Sequence, residues 1–241
     1  MVDDTVNSSS QGAAWQSTLQ ELGQPLQETT FVVIDLETTG GAPHLGAAIT
    51  EIGAVKICGG KRIGEFKTFI DPGHPVPAYI TELTGITDEM VFQSPTIDQI
   101  FPSLLEFMGS AEKTVLVAQN APFDLSFLTF AARTHGYSWP KFHVLDTAII
   151  ARKVLTRDEV PNCKLGTLAE FFGTSTTPNH RALDDARATV DVFHGLLERL
   201  GTYGIYTLEE LANFGKRVKK VKSPEYCLLY TSPSPRDGLL S

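Results

Sequence analysis

The chain is 241 residues long and 42% apolar, enough for one ordinary domain with a real core and some appended sequence. Its net charge of −8 speaks against a general polyanion binder, but not against a nucleic-acid enzyme whose bound divalent metals meet the phosphate. No apolar run reaches the roughly 18 residues of a membrane span, the polar start "MVDDTVNSSSQGAAWQ" lacks the features of a signal peptide, and the cysteines form no CxxC pair. A reducing cytoplasm is the expected setting, with no disulfide framework and no zinc site.

Residues 1–28 are a polar lead-in carrying one short helical pattern, "AAWQSTLQELG". "TFVVIDL" is β-branched and apolar throughout, which predicts a buried central strand. "AITEIGAVKI", the pair Gly59-Gly60 and "KRIGEFKTFI" predict a hairpin of two alternating strands. "DPGHPVPAYI" reads as a Pro-rich loop. "SPTIDQIFPSLLEFMG" has helical spacing, with Pro102 expected near the first turn. "TVLVAQN" predicts a second buried strand, followed by a helix from about Pro122 that Gly136 closes. "FHVLDTAIIARKVL" passes from a short strand into a helix, and "KLGTLAEFFG" is a short helix. A long helix runs from about Ala182 to about Leu200, and "TLEELANFGKRVKK" is a last helical piece.

Three antiparallel strands followed by alternating helix and strand predict an α/β domain over residues 29–200, with a mixed sheet flanked by helices. Residues 201–226 are expected to be a helical, basic linker. The tail "CLLYTSPSPRD" changes abruptly to turn-forming composition and matches the one-frame translation of a transposase sequencing adapter. Residues 227–241 are therefore expected not to be native, and no function is assigned to them.

Three short motifs carry chemistry. In "VIDLETTG", Asp35 and Glu37 are two residues apart, so in a strand they share a face. Two like charges leaving a buried strand are costly unless a cation neutralises them; the alternative is a strand end that reaches solvent. In "AQNAPFDLSFL", Asp124 lies in the first turn of a helix, where the helix dipole alone would favour it, and Asn120 is a turn residue or a cap. In "NHRALDDA", the apolar stripe of the helix is Leu183, Ala186, Val190, Phe193 and Leu197, and both aspartates lie off it. Asp184 has Arg181 and Arg187 at helical distance, which predicts a surface ion pair. Asp185 is flanked by Ala182, Ala188 and Thr189, small groups that leave space for a metal or substrate. His180 falls before the helix, in a loop expected to be mobile.

In this order the blocks "FVVIDLETTG", "ITEIGAV", "LTGIT", "NAPFD" and "HRALDDA" resemble the DnaQ-like, DEDDh 3′–5′ exonuclease superfamily over residues 30 to about 200. The five-residue step from His180 to Asp185 matches the histidine branch. The resemblance implies a ribonuclease H-like fold, metal ligation of two Mg²⁺ or Mn²⁺ ions by Asp35, Glu37, Asp124 and Asp185, and His180 as general base. It implies release of nucleoside 5′-monophosphates from a single-stranded 3′ end, in repair or proofreading. Backbone near Thr38, with Leu83, Ile86 and Asn120, is expected to hold the terminal nucleotide. Gln119 departs from the histidine many members carry there, which puts substrate contacts in question. "LTRDEVPNCKLGTLAEFF" and "GIYTLEEL" further resemble actinobacterial proteins in which this domain precedes a GIY-YIG nuclease domain, here missing. DNA is the expected partner; an RNA-end trimmer, or a non-catalytic module binding replication or repair proteins, are the rival readings.

Overall fold

The computed structural model describes residues 23–214; the N-terminal helical pattern up to residue 22, the basic run and the adapter-like tail lie outside the described residues. Five strands form one sheet: β1 (Thr30–Thr38), β2 (Ile49–Cys58), β3 (Lys61–Phe69), β4 (Thr114–Ala118) and β5 (His143–Asp146). Their order is β3-β2-β1-β4-β5. β1, β2 and β3 pair antiparallel, whereas β4 and β5 join parallel. The predicted mixed sheet with three antiparallel leading strands is therefore the one observed. Gly59 and Gly60, with φ of 58° and 72°, supply the two left-handed positions that a two-residue hairpin turn requires.

Eight α-helices among the described residues surround the sheet: α1 (Ala78–Thr84), α2 (Asp88–Val91), α3 (Ile97–Met108), α4 (Pro122–Thr134), α5 (Thr147–Val154), α6 (Leu165–Phe172), α7 (Ala182–Thr202) and α8 (Leu208–Phe214). No helix among them is long and apolar enough to cross a membrane. The first two were not expected from the sequence. Both are too short to show a helical period, and helices of that size depend on tertiary contact. Here Val76, Ile80, Ile86 and Val91 pack into a small core of their own, and the Asp88 carboxylate accepts the Val76 N–H at 2.7 Å.

Pro102 is a second difference. It sits six residues into α3, inside the helix and not in its first turn. A proline there leaves the carbonyl four residues earlier without its donor. That carbonyl belongs to Asp98, and the Tyr137 hydroxyl donates to it at 3.0 Å, so the expected helix survives.

The continuous apolar run of β1 follows from the helices on both of its faces. Val32, Ile34 and Leu36 pack in one core with residues of α3 and α4, such as Leu104 and Leu128. Phe31 and Val33 pack in another with Val190, Phe193 and Leu196 of α7. Asp35 and Glu37 continue this second, odd-numbered face toward the first turn of α7. At about 2 kcal/mol for each large apolar side chain removed from water, the buried stripe of α7 fixes that first turn against the sheet.

Candidate active site

Asp35 and Glu37 lie on β1, facing Gly53 and Glu51 of β2. The β1–β2 register shifts directly after Glu37, and such an irregularity re-aims the chain as pairing ends. Glu37 is only 9% exposed, whereas Asp35 keeps partial contact with solvent. Asp124, in the first turn of α4, is buried. Its Oδ1 accepts the Leu36 N–H at 3.1 Å, which brings α4 to the strand between the two acids of β1.

Asp185 comes from the first turn of α7 and is buried, while Asp184 is half-buried. Burial therefore separates the two aspartates, which the apolar stripe alone did not. The buried surface of α7 is wider than the predicted stripe: it includes Ala182, Ala188, Thr189, Val192 and Leu196, while Leu197 is only partly covered. Asp185 lies within this wider band. Asp184 pairs with Arg187 at 3.2 Å, as expected. Arg181 does not join them; its guanidinium forms a two-point contact with Glu51 on β2, at 3.1 and 3.0 Å.

His180 is not on the loose loop expected for it. The Asn179 N–H donates to Asp185 Oδ1 at 2.9 Å, the Asn179 amide reaches Asp184 at 3.2 Å, and Arg181 is held by Glu51. His180 itself adopts a left-handed φ of 59°, a conformation costing on the order of 1 kcal/mol for an L residue. The exposed imidazole already stands with Glu37 and Asp185: one donor atom from each of the three lies within 4.8 Å of the others. Asp35 and Asp124 are outside this tightest group but act on it electrostatically.

These carboxylates are held near one another with little positive charge to offset them. Burial raises the Asp35 carboxyl well above the ordinary range, and the charges of Asp124, Asp185 and Glu37 add to the effect. Glu37 is pushed up to about 8, by burial first and then by Asp185, Glu51 and Asp124, with Arg181 opposing. Burial also raises Asp124 to about 8 against the stabilising N–H groups of its own residue and Leu36. Asp185 is raised by burial and eased by the Asn179 N–H and the His180 charge. Hard oxygen donors gathered in this way suit a divalent cation such as Mg²⁺ or Mn²⁺, and a cation would favour their charged forms against burial and, at Asp35 and Glu37, against the neighbouring acids.

The other sequence candidates divide. Thr38 is buried and its hydroxyl donates to the Gly40 carbonyl at 2.7 Å. Leu83 is 53% exposed, so it can meet a base; Ile86 is completely buried in the small core under α1 and α2 and offers a ligand no surface. Asn120 is exposed and takes φ 65°, which makes it a turn residue; the helix cap falls on Ala121. Gln119 has a structural task. Its amide donates to the Cys163 carbonyl at 2.7 Å and accepts from the Thr147 hydroxyl, tying the end of β4 to the start of α5 and the segment before α6. The doubt its identity raised about substrate contacts is thus met by a brace within the fold. Sequence reasoning missed Glu51, whose signal was an acid on the otherwise apolar face that Val55 and Ile57 share on β2.

A ribonuclease H-like sheet thus brings acids from β1, α4 and α7 together beside one histidine. The RNase_T family model, described as "Exonuclease", matches residues 32–193, and the chain belongs to this DnaQ-like exonuclease family. It is 49% identical over 228 residues to a Mycobacterium tuberculosis (strain CDC 1551 / Oshkosh) protein named "Putative bifunctional exonuclease/endonuclease protein", covering 92% of this chain and 34% of that one. It is 42% identical over 184 residues to a "DNA polymerase III PolC-type" of Caldanaerobacter subterraneus subsp. tengcongensis, covering 76% of this chain and 13% of the relative. The chain thus spans about a third of the first relative and a smaller part of the second. Among solved structures, the nuclease domain of 3′hExo, a DEDDh family member bound to rAMP, superposes with a TM-score of 0.60 at 20% identity, covering 72% of this chain and 94% of that one.

Proposed function

We propose that the chain is a divalent-metal-dependent exonuclease that removes nucleoside 5′-monophosphates from the 3′ end of single-stranded DNA. The observation that carries this reading is the joining of Glu37, Asp185 and the exposed His180 within 4.8 Å, where β1 ends. Asp35, Glu37, Asp124 and Asp185 would hold the cations. When bound, these supply a water of lowered pKa and neutralise charge at the scissile phosphate.

The chain's own groups then have separable tasks. His180 accepts the proton of the attacking water, as a general base standing beside the carboxylates of the site. Its fixed, left-handed backbone keeps the ring at the carboxylates, so no large loop movement is needed. Leu83 packs against the terminal base, and Asn120, exposed in its turn beside α4, contacts the nucleotide. Thr38 orients the chain following Glu37 through its bond to Gly40.

The DNA preference is supported by the DNA polymerase III PolC-type relative. The mycobacterial relative is named as a bifunctional exonuclease/endonuclease and is covered by this chain over only 34% of its length, which supports a second nuclease domain accompanying this one. A GIY-YIG fold is our proposal for it. The test uses strands of equal length and sequence in DNA and RNA, each labelled once at the 5′ end and once at the 3′ end. With Mg²⁺, a 3′-labelled DNA strand should release labelled mononucleotide at once, while the 5′-labelled strand shortens stepwise. Release first from the 5′ end, or turnover unaffected by chelator, would defeat the reading. Faster trimming of RNA would move the substrate to RNA and leave the chemistry intact.

A further inference from the structure

The catalytic reading uses four carboxylates and one imidazole, and it leaves a fifth acid beside them without a task. Glu51 faces Glu37 across the β1–β2 ladder, and none of its side chain is exposed. Both of its oxygens are engaged. Oε1 accepts from Arg181 at 3.0 Å and faces the Lys67 ammonium at 3.6 Å. Oε2 accepts from Arg181 Nε and from the Ala182 N–H, both at 3.1 Å. A carboxylate has about four lone-pair directions; three of them accept hydrogen bonds and an ammonium faces the group as well, so the protein itself compensates Glu51 and it is not counted among the cation ligands.

The three hydrogen bonds end at the start of α7, and the Lys67 ammonium comes from β3. No side chain of the local sequence caps this helix, and its first N–H groups need acceptors. Glu51 supplies one from another strand. Two residues along the same face, Gly53 lets the helix rest on the sheet: a Cβ there would lie 2.2 Å from the backbone of Ala182 and Leu183. Glu51 and Gly53 together form a socket for the first turn of α7. His180 is the residue just before that socket. It is pinned on one side by Asn179, through Asp185, and on the other by Arg181, whose guanidinium also lies 5.2 Å from the centre of the Phe69 ring.

We propose that Glu51 is a positioning residue for the exonuclease reaction: by clamping Arg181 and Ala182 it fixes the backbone of His180, so that the imidazole stays beside Glu37 and Asp185. This rests on His180 acting as the base.

The experiment is a double-mutant cycle with a spectroscopic arm. Glu51→Gln keeps an oxygen for the Ala182 amide and removes the charged fork to Arg181, so it is milder than truncation. In otherwise native protein it should lower kcat about tenfold while KM for an oligonucleotide changes by less than about twofold. In a His180→Ala background the same substitution should change kcat by less than about twofold, because two residues acting through one group are not additive. In metal-free protein carrying ¹³C-labelled histidine, the His180 ring signal, assigned by its loss in His180→Ala, should shift or broaden in Glu51→Gln while the other histidine signals stay. An equal loss of kcat in both backgrounds would overturn the proposal. So would weakened Mn²⁺ binding by calorimetry with an unmoved His180 signal, which would make Glu51 part of the cation site. If His180→Ala itself turns over at the native rate, the base assignment fails and the proposal falls with it; the ring signal then shows separately whether the clamp holds the loop.

Discussion

Glu37 and Glu51 stand opposite each other on adjacent strands, share a face of the sheet and are both withdrawn from water, at 9% and 0% exposure. Their company differs. Glu51 meets Arg181, Lys67 and a helix amide. Glu37 meets other acids, with Arg181 the one opposing charge among its strongest influences, and its carboxyl is pushed up to about 8. Burial by itself would single out Glu51 as the more unusual residue. The partners reverse that order: an acid compensated by the protein holds structure, and an acid left uncompensated marks where a cation belongs.

The contrast breaks most visibly at Glu37. Glu37→Gln keeps the size of the side chain and deletes a donor charge, so turnover should fall on the order of 10³-fold or more, the scale seen when a group aimed at developing charge is lost. The same change removes a carboxylate whose ionisation the fold opposes, and the metal-free protein should melt at a higher temperature at pH 8. Loss of function with gain of stability is the expected pair. A rate within tenfold of native, or a lower melting temperature, would show that Glu37 is compensated like its neighbour.

A second measurement tests the acids as a group through pH. Glu37 and Asp124 have folded-state values of about 8, above ordinary values of 4.5 and 3.8. The folded state therefore binds more protons than the unfolded one. The stability linked to these groups is full below their ordinary values and is lost as pH rises toward 8. Divalent cations compete with those protons, so they should restore most where the protons have gone. Melting scans with and without Mn²⁺ should show a larger upward shift at pH 8 than at pH 5.5. The paired difference cancels the acids outside the site that ion pairs or local hydrogen bonds pull the other way, such as Glu65 and Asp191. An equal shift at both pH values would mean that the cation does not sit among the raised carboxylates.

The two glutamates also mark how far the sequence could be read. The sheet was legible because β1 and β4 are apolar runs and the Gly59-Gly60 turn fixes one hairpin, all of it local pattern. The acids of β1, α4 and α7 were legible as three spaced motifs, each opening or closing a predicted element. What could not be read were contacts across the chain. Glu51 and Arg181 are 130 positions apart, so helical neighbours suggested Asp184 as the partner of Arg181. For the same reason the loop before α7 looked mobile: its clamps on β2 and on Asp185 depend on the tertiary fold. The same ignorance put Ile86 on the substrate, when the unexpected helices α1 and α2 bury it.

The smallest effect should come from the aspartate next door to the site. Asp184 touches Arg187 and the Asn179 amide, each at 3.2 Å, and about a third of its side chain faces solvent, 34%. Arg187 does not depend on it, because Glu65 holds the same guanidinium at 3.0 and 2.7 Å. In Asp184→Asn the new amide oxygen can still accept from Asn179, and only one exposed ion pair is lost, worth under about 1 kcal/mol. The rate should stay within about twofold of native and the melting temperature within about 4 °C, as that energy allows for a domain of this size. Asp185→Asn, one residue on, should lose turnover as Glu37→Gln does. A collapse of rate in Asp184→Asn with Asp185→Asn unaffected would exchange the two roles, and with them the side of α7 on which the cations sit.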